Sequence, residues 1–526
     1  MKKDHKKLFD QVQRIYCLIT EGEYEEALVT LRHLQRKGRK SKLVKFNKVG
    51  LLIDIGTGLK DQKLILEGID AGKDLLKVDL NNNNKKSLYY NLANGYMALF
   101  KIDFSGSKNI KKIIENKELR EAKKWLKKSA EESHNLPVKQ RLQRWTNYAN
   151  CLDSLGRGLE ALDAYDEVLK LDPNFAMAIG NKGLALRFFA DVSGKYYRAA
   201  MYIESYQLLK AAIENEDLVK EGCLSAKNEF EEEMRKIEMK FKDTSVLSGS
   251  IAHPKYDKSG MSSFEEFYID FCSANRLFLN LHVHVEDCEA SILDPVFISI
   301  ITPVDDNETF YRLAKYINQI KEDYAVARLL LAQSQFQRND FDRISRRTTF
   351  VNTLDYSDFN IYVGLLKSAF SEAYSIFDKI SRFISQYLDL DCKDEKNLYF
   401  RDIWKVRNED NKMVIRPEII DSKNISLYAL YDIYLDFQGE EYQIISRIRN
   451  SSEHERLIIH SSQWNGQEDK NNIRYDSMLS ETLRLFQLGR AAVIYLINFV
   501  QMREMRKKQD TPGLVPEIIV DTLQSF

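Results

Sequence analysis

Residues 145–173 read WTNYANCLDSLGRGLEALDAYDEVLKLDP, and their spacing decides the fold. Trp145, Tyr148, Ala149 and Leu152 recur at steps of three and four, so they share one face of a helix. Gly156 supplies a tight turn, and Ala161, Tyr165 and Val168 face inward from a second helix that Pro173 ends. Small residues fall where the two helices approach. A hairpin of this kind buries its apolar face only against another like it, so the pattern calls for further copies.

Copies occur on both sides. Gly22-Glu-Tyr-Glu-Glu-Ala27 repeats the turn and the start of a second helix, with Val12, Ile15, Tyr16 and Ile19 supplying the first. Tyr89-Tyr-Asn-Leu-Ala-Asn-Gly-Tyr96 opens another unit, which resumes at Leu119-Arg-Glu-Ala-Lys-Lys-Trp125 after an insertion at 103–117. Weaker units cover 43–80 and 176–215. These stretches resemble the tetratricopeptide repeat. The resemblance implies an α-solenoid over residues 1–225, whose concave surface takes an extended peptide or a partner helix and is the natural place to sense a peptide or protein trigger.

Composition points the same way. With 44% apolar and 30% charged residues but only 22 Gly and 8 Pro in 526, the chain lacks the turn residues of a strand-rich fold, which leaves an all-α protein. Lys plus Arg equals Asp plus Glu at 78 each, so no global field advertises a polyanion clamp. A nucleic-acid site has to be local, or assembled between chains. The 6 cysteines form no CxxC pair, which fits reduced, buried thiols rather than a disulfide framework or a zinc site. No cofactor is expected. Met1-Lys-Lys-Asp-His-Lys-Lys passes into an amphipathic pattern without a signal peptide's apolar core, and the run 491–500 is about half of what a bilayer requires. The expectation is a cytoplasmic protein without a membrane span.

Residues 226–241 alternate charges at steps of three and four, as a helix standing in solvent would, and 243–260 then gathers Ser, Gly and Pro. A charged helix and linker at 226–261 therefore separates the array from a C-terminal domain, which begins with a connecting helical segment at 262–355. Within it, an extended strand would put His282, His284 and Glu286 on one face, as a metal site requires. No second cluster at ligand spacing joins them, so they are expected at a surface or an interface.

Residues 356–510 again read as amphipathic helices. In the first, Leu365, Ala369, Ala373, Ile376, Phe377, Ile380, Phe383 and Ile384 form an apolar stripe edged by Lys367, Glu372 and Asp378. A second spans 426–437, a third holds Arg449 to His460, a fourth spans 480–507, and a tail follows at 511–526. Four such helices with short links describe a four-helix bundle.

The third helix carries Arg449-Asn450-Ser-Ser-Glu-His454. With the phrases Leu366 to Ile380 and Ile448 to His454, this Arg-polar-x3-His pattern resembles the HEPN (higher eukaryotes and prokaryotes nucleotide-binding) ribonucleases, in the branch that follows tetratricopeptide arrays in bacteria. The likeness covers 262–508. It implies a metal-independent endoribonuclease with Arg449, Asn450 and His454 as catalytic residues, Asp378 at a polar position opposite the motif, an RNA substrate, and a homodimer in which two motifs face each other. Fusions of this kind resemble bacterial toxin and antiphage systems.

The residue types fit that chemistry by themselves. RNA is cut when its own 2′-hydroxyl attacks the adjacent phosphate, which needs a proton acceptor and charge stabilisation. His454 titrates near neutrality, Arg449 stays cationic, and Asn450 lies four residues before His454 on the same helical face. Arg449 and His454, however, are five apart, about 140° around an ideal helix. Either the helix begins at Ser452, which has capping-box spacing to Glu455, or Arg449 of one chain meets His454 of another. The rival reading is a non-catalytic scaffold or peptide-binding regulator that dimerises through the bundle, with His454 a surface residue and Arg449 paired to Glu453.

Overall fold

The computed structural model describes residues 2–78, 80–105, 109–192, 195–221, 224–249, 256–285, 289–301, 307–336, 339–392, 397–439, 442–454 and 456–510. The chain divides into two compact units, residues 1–189 with 201–249, and residues 190–200 with 250–526.

The first unit is a run of antiparallel helix pairs. α1 (Lys2–Glu21) and α2 (Tyr24–Lys37) turn at Gly22, whose φ of +83° only glycine adopts without strain. α3 (Lys42–Leu59) pairs with α4 (Gln62–Leu76), and α5 (Asn82–Ser105) with α7 (Lys117–Glu131). The insertion between that last pair holds the short helix α6 (Lys111–Glu115), and the Asn116 side chain caps α7 by accepting from the Leu119 amide at 2.6 Å. α8 (Val138–Ser154) and α9 (Gly158–Leu171) are the hairpin read from residues 145–173. Gly156 sits at φ +79° in its turn, and Ala149, Leu152, Ala161, Tyr165 and Val168 close its core. α10 (Ala176–Val192), α11 (Lys195–Glu214), α12 (Leu218–Glu221) and α13 (Leu224–Glu238) follow.

α13 does not stand in solvent as its charge pattern implied. Phe230 and Ile237, seven residues apart and so on one face, are buried, and Glu233 pairs with Arg187 of α10 at 2.6 Å. The charged residues cover one side, and the two apolar ones dock the helix onto the array. Gly180 of α10 makes room for this, because a Cβ there would lie 2.1 Å from the Phe230 ring.

In the second unit, α14 (Ser263–Ala274) starts at a capping box between Ser262 and Glu265. His282 and His284 lie in a short 3-10 turn, not in a strand, and both are buried rather than exposed. The segment before them is held from α21 (Tyr475–Asp510), where buried Arg490 donates to the carbonyls of Phe278 at 2.9 Å and Asn280 at 2.7 Å. Glu286 lies outside the described residues.

α15 (Asn307–Gln335) and α16 (Asn339–Ser345) lead to α17 (Ile361–Leu388), which Asn360 caps by accepting from the Val363 amide at 2.9 Å. A hairpin of β1 (Lys405–Arg407) and β2 (Met413–Ile415), then α18 (Pro417–Asp421), joins it to α19 (Ile425–Gln438). α20 (Gln443–His454), β3 (Ile458–His460), β4 (Asn472–Arg474) and α21 complete the unit. α17, α19, α20 and α21 form the expected bundle, and α15 packs along α17 as a further member. α21 is long and apolar enough to cross a membrane by composition, but 83% of its most apolar stretch is buried, as in the central helix of a bundle. The fully buried rings of Phe370, Phe377, Phe383, Phe486 and Phe499 fill the core, each worth about 1.5–3 kcal/mol.

Candidate functional site

The expected third helix is shorter at its end and longer at its start than its sequence implied. α20 begins at Gln443 and stops at His454. Leu457-Ile-Ile-His460 is not helical: residues 458–460 form β3, paired in parallel register with β4. Two adjacent β-branched residues favour that extended form. At the other end, buried Ile445 and Ile448 anchor a turn well before Ser452, so Ser452 lies inside the helix and caps nothing at its start. Glu455, its expected partner, is outside the described residues.

Arg449 is therefore mid-helix and does not turn inward at an irregular start. Its guanidinium carbon lies 4.9 Å from the centre of the Tyr374 ring and 5.8 Å from that of Tyr399. Both aromatic faces attract the cation and fix its position. Tyr374 belongs to a half-buried row along one edge of the apolar stripe of α17, formed by Lys367, Ser371, Tyr374 and Asp378. Asp378 accepts from the Phe400 amide at 2.8 Å, which pins the residue next to Tyr399. Arg449 and Asp378 thus meet the same short segment, 399–400, though 71 residues separate them in sequence. Lys367, at the other end of the row, donates to the Leu457 carbonyl at 2.6 Å, and burial pulls its pKa below the usual lysine value.

Asn450 points elsewhere. It is exposed and borders a groove of about 370 Å³ lined by Gln443, Ser446, Arg447, Ser451 and Lys470, with 437–439 from the end of α19. Gln443, Arg447, Asn450 and position 454 fall on one row of α20, by steps of three and four. The side chain of His454 lies outside those described, so its helix position is what can be stated. Lys470 reaches the groove because its carbonyl accepts a hydrogen bond from the buried Ser451 hydroxyl. Arg447 lies 4.0 Å from Glu468, whose carboxyl is held below its usual range despite burial by hydrogen bonds from Ser477 and Arg474.

The groove therefore offers two cations and several amides and hydroxyls, which suits phosphate oxygens and sugar hydroxyls. Sequence reasoning missed Lys470, Gln443, Tyr374 and Tyr399. Gln443 follows from the helical row once the helix start is known, but Lys470 and Tyr399 arrive through folding of distant segments and leave no local signal. His460 plays a different part. Its ring is buried, stacks on Trp464 at 4.1 Å, and its two nitrogens lie 2.9 Å from Asn472 and 3.2 Å from the Asp355 carbonyl. It ties β3 to its neighbours.

No curated protein matches the chain. Two crystal structures of a putative kinesin light chain with nearly identical TPR-like repeats from Podosopora anserina, one of them a point variant, are similar at 14% identity. They cover 45% and 44% of this chain and 97% and 95% of their own, at a TM-score of 0.25. Residues 304–503, which run from α15 through the motif helix and most of α21, match the model of the LA2681-like HEPN family, so the C-terminal part of this chain carries a HEPN domain.

Proposed function

We propose that the C-terminal unit is an RNA-cleaving HEPN ribonuclease whose site is completed by a second copy of the chain. The observation that carries this reading is the unbroken helix α20. It sets Asn450 and position 454 on a row beside the cationic groove, while Arg449 lies against Tyr374 and Tyr399. Within one chain, Arg449 and His454 stand about 140° apart on the helix and cannot converge on one phosphate. Two copies with these helices facing bring the Arg449 of one to the His454 of the other.

In that arrangement His454 takes the proton from the ribose 2′-hydroxyl, and Arg449 holds the non-bridging oxygens as charge builds on the phosphorane. The leaving 5′-oxygen takes a proton from water and His454 returns its own to solvent, giving a 2′,3′-cyclic phosphate and a 5′-hydroxyl. Asn450 orients the ribose or the imidazole. Arg447 and Lys470 hold flanking phosphates of the strand. Asp378 acts through the 399–400 segment that supports Arg449. The N-terminal array senses a trigger and restrains the nuclease, consistent with a toxin or antiphage role.

The test is cleavage of total cellular RNA by the full chain in EDTA, with sequencing of 5′-hydroxyl ends, in cells and with purified protein. Wild type generates new 5′-hydroxyl ends, and His454→Ala and Arg449→Ala do not. Full cleavage by His454→Ala overturns the assignment.

A further inference from the structure

The chain is neutral as a whole, but its charges are not evenly placed. No carboxylate occurs between Glu26 and Asp54, a stretch that holds eight lysines and arginines. Two of them, Arg32 and Lys48, pair with Glu67 at 2.6 and 3.0 Å and belong to the scaffold. The other six, Arg36, Lys37, Arg39, Lys40, Lys42 and Lys45, are all exposed. They occupy the last turn of α2, the connection and the first turn of α3. None is ion-paired among the described residues. Four other surface cations of the same unit are paired along their helices: Lys170 with Glu167 at 2.5 Å, Lys210 with Glu214 at 4.0 Å, Arg235 with Glu231 at 3.7 Å and Lys236 with Glu232 at 2.8 Å.

The helices themselves do not account for this cluster. The α2 dipole favours Arg36 and Lys37 in its last turn, but that of α3 opposes Lys42 and Lys45 in its first, where no acidic residue offsets them. Ser41 makes no side-chain capping bond to the first amides of α3. The connection is nevertheless held in one shape. The Gly38 amide donates to the Leu34 carbonyl and the Ser41 amide to the Gly38 carbonyl, each at 2.8 Å, and buried Val44 packs where a Cβ on Gly38 would meet it at 2.6 Å. Six like charges on a fixed turn repel one another, and an anion lying across them relieves that repulsion.

The surroundings narrow the kind of anion. No exposed large apolar side chain falls between Arg32 and Lys48, so nothing here inserts among acyl chains as a membrane-bound helix requires. No exposed aromatic ring lies there to stack on bases either, which leaves contact with a phosphate backbone and no reading of sequence.

We infer that the α2–α3 connection is an RNA-backbone surface, at which Arg36, Lys37, Arg39, Lys40, Lys42 and Lys45 hold the phosphates of a single strand. The choice of RNA among polyanions rests on the ribonuclease reading above. The groove beside Asn450 offers two cations and this surface six, so the first unit supplies the greater part of the salt-dependent affinity.

The test uses the full chain carrying His454→Ala, so that binding is read without cleavage, and a labelled mixed-sequence single-stranded RNA of about 30 nucleotides in EDTA. The fourfold variant Arg36→Gln, Lys37→Gln, Arg39→Gln and Lys40→Gln should bind at least about tenfold more weakly at low salt. It should also lower the slope of log affinity against log salt by about 3, at about 0.7 per phosphate neutralised. Arg36→Lys with Arg39→Lys, which keeps the charge, should keep the slope. Lys170→Gln, Lys210→Gln, Arg235→Gln and Lys236→Gln together make the same change in net charge and should leave affinity and slope near those of the parent. Equal weakening in that control, an unchanged slope in the fourfold variant, preference for vesicles of phosphatidylserine and phosphatidylcholine over the RNA, or displacement by polyglutamate as effective as by unlabelled RNA at equal charge overturns the inference. Cleavage is scored separately: if the chain with His454 intact releases no 5′-hydroxyl ends, the ribonuclease reading falls, while the binding result decides the surface on its own.

Discussion

Arg449→Ala and His454→Ala, each inactive alone, should restore activity to one another when the two chains are combined. The reason is geometric. α20 is continuous from Gln443 to His454, so one chain presents the two residues about 140° apart, and the proposed site takes Arg449 from one copy and His454 from the other. In a two-fold dimer this makes two equivalent sites. A mixed dimer has one site lacking both residues and one site with both. Random pairing of equal amounts gives mixed dimers for half of the population, so about one quarter of the wild-type sites are intact, and RNA cleavage should recover to about one quarter of the wild-type rate. The assay is the release of 5′-hydroxyl ends from RNA by co-expressed, differently tagged chains purified through both tags in sequence. That purification removes the homodimers and should raise the value to about one half. Recovery no greater than the background of the single variants, or an active monomer, refutes the shared site.

Three further outcomes test the scaffold. Asp378→Ala removes the acceptor that holds the buried Phe400 amide at 2.8 Å, so it should cost about 1–3 kcal/mol and raise hydrogen exchange at residues 399–400. Gly180→Ala, which would set a Cβ 2.1 Å from Phe230, should destabilise by about 1–3 kcal/mol, whereas Gly364→Ala on α17, with nothing within 4 Å, should stabilise by about 0.5–1 kcal/mol in urea melts. Glu67 of α4 ties three helices together, accepting from Arg32 of α2 at 2.6 and 2.8 Å and pairing with Lys48 of α3 at 3.0 Å. The Arg32 hydrogen bonds, and after them Lys48, hold its pKa down to about 2. Because the folded value is depressed, its contribution is present above the unfolded carboxylate range and is lost as pH falls through 2. Glu67→Gln should thus cost about 1 kcal/mol at pH 7, allowing for its partial exposure, and nothing below pH 2. A penalty that grows on acidification would contradict that linkage.

The helical hairpins were legible because every feature that makes them is local. Apolar residues at steps of three and four, small residues at the crossing points and Gly22 or Gly156 in the turns act within a few residues of one another. The same logic made α17, α19 and α21 visible and located Arg449, Asn450 and His454 on one helix. It failed at Ser452, where a capping-box spacing does not reveal whether the helix has already begun. Ile445 and Ile448, buried by the bundle, decide that it has. It failed also for α13, whose charges hide two apolar contacts, and for residues 458–460, where strand pairing with 472–474 overrides helical continuation.

What the chain determines alone is therefore the inventory: which segments are helices, where arrays repeat, and which residues sit four apart on a face. Only the tertiary structure decides what each face meets. Tyr374 and Tyr399 come to lie against Arg449, Lys470 comes to the groove beside Asn450, and Asp378 and Arg449 come to a common support. Helix formation is a nearest-neighbour property, set by backbone bonds four residues long, whereas these pairings close loops of 20 to 75 residues and are stabilised only when the whole apolar core of the bundle closes at once.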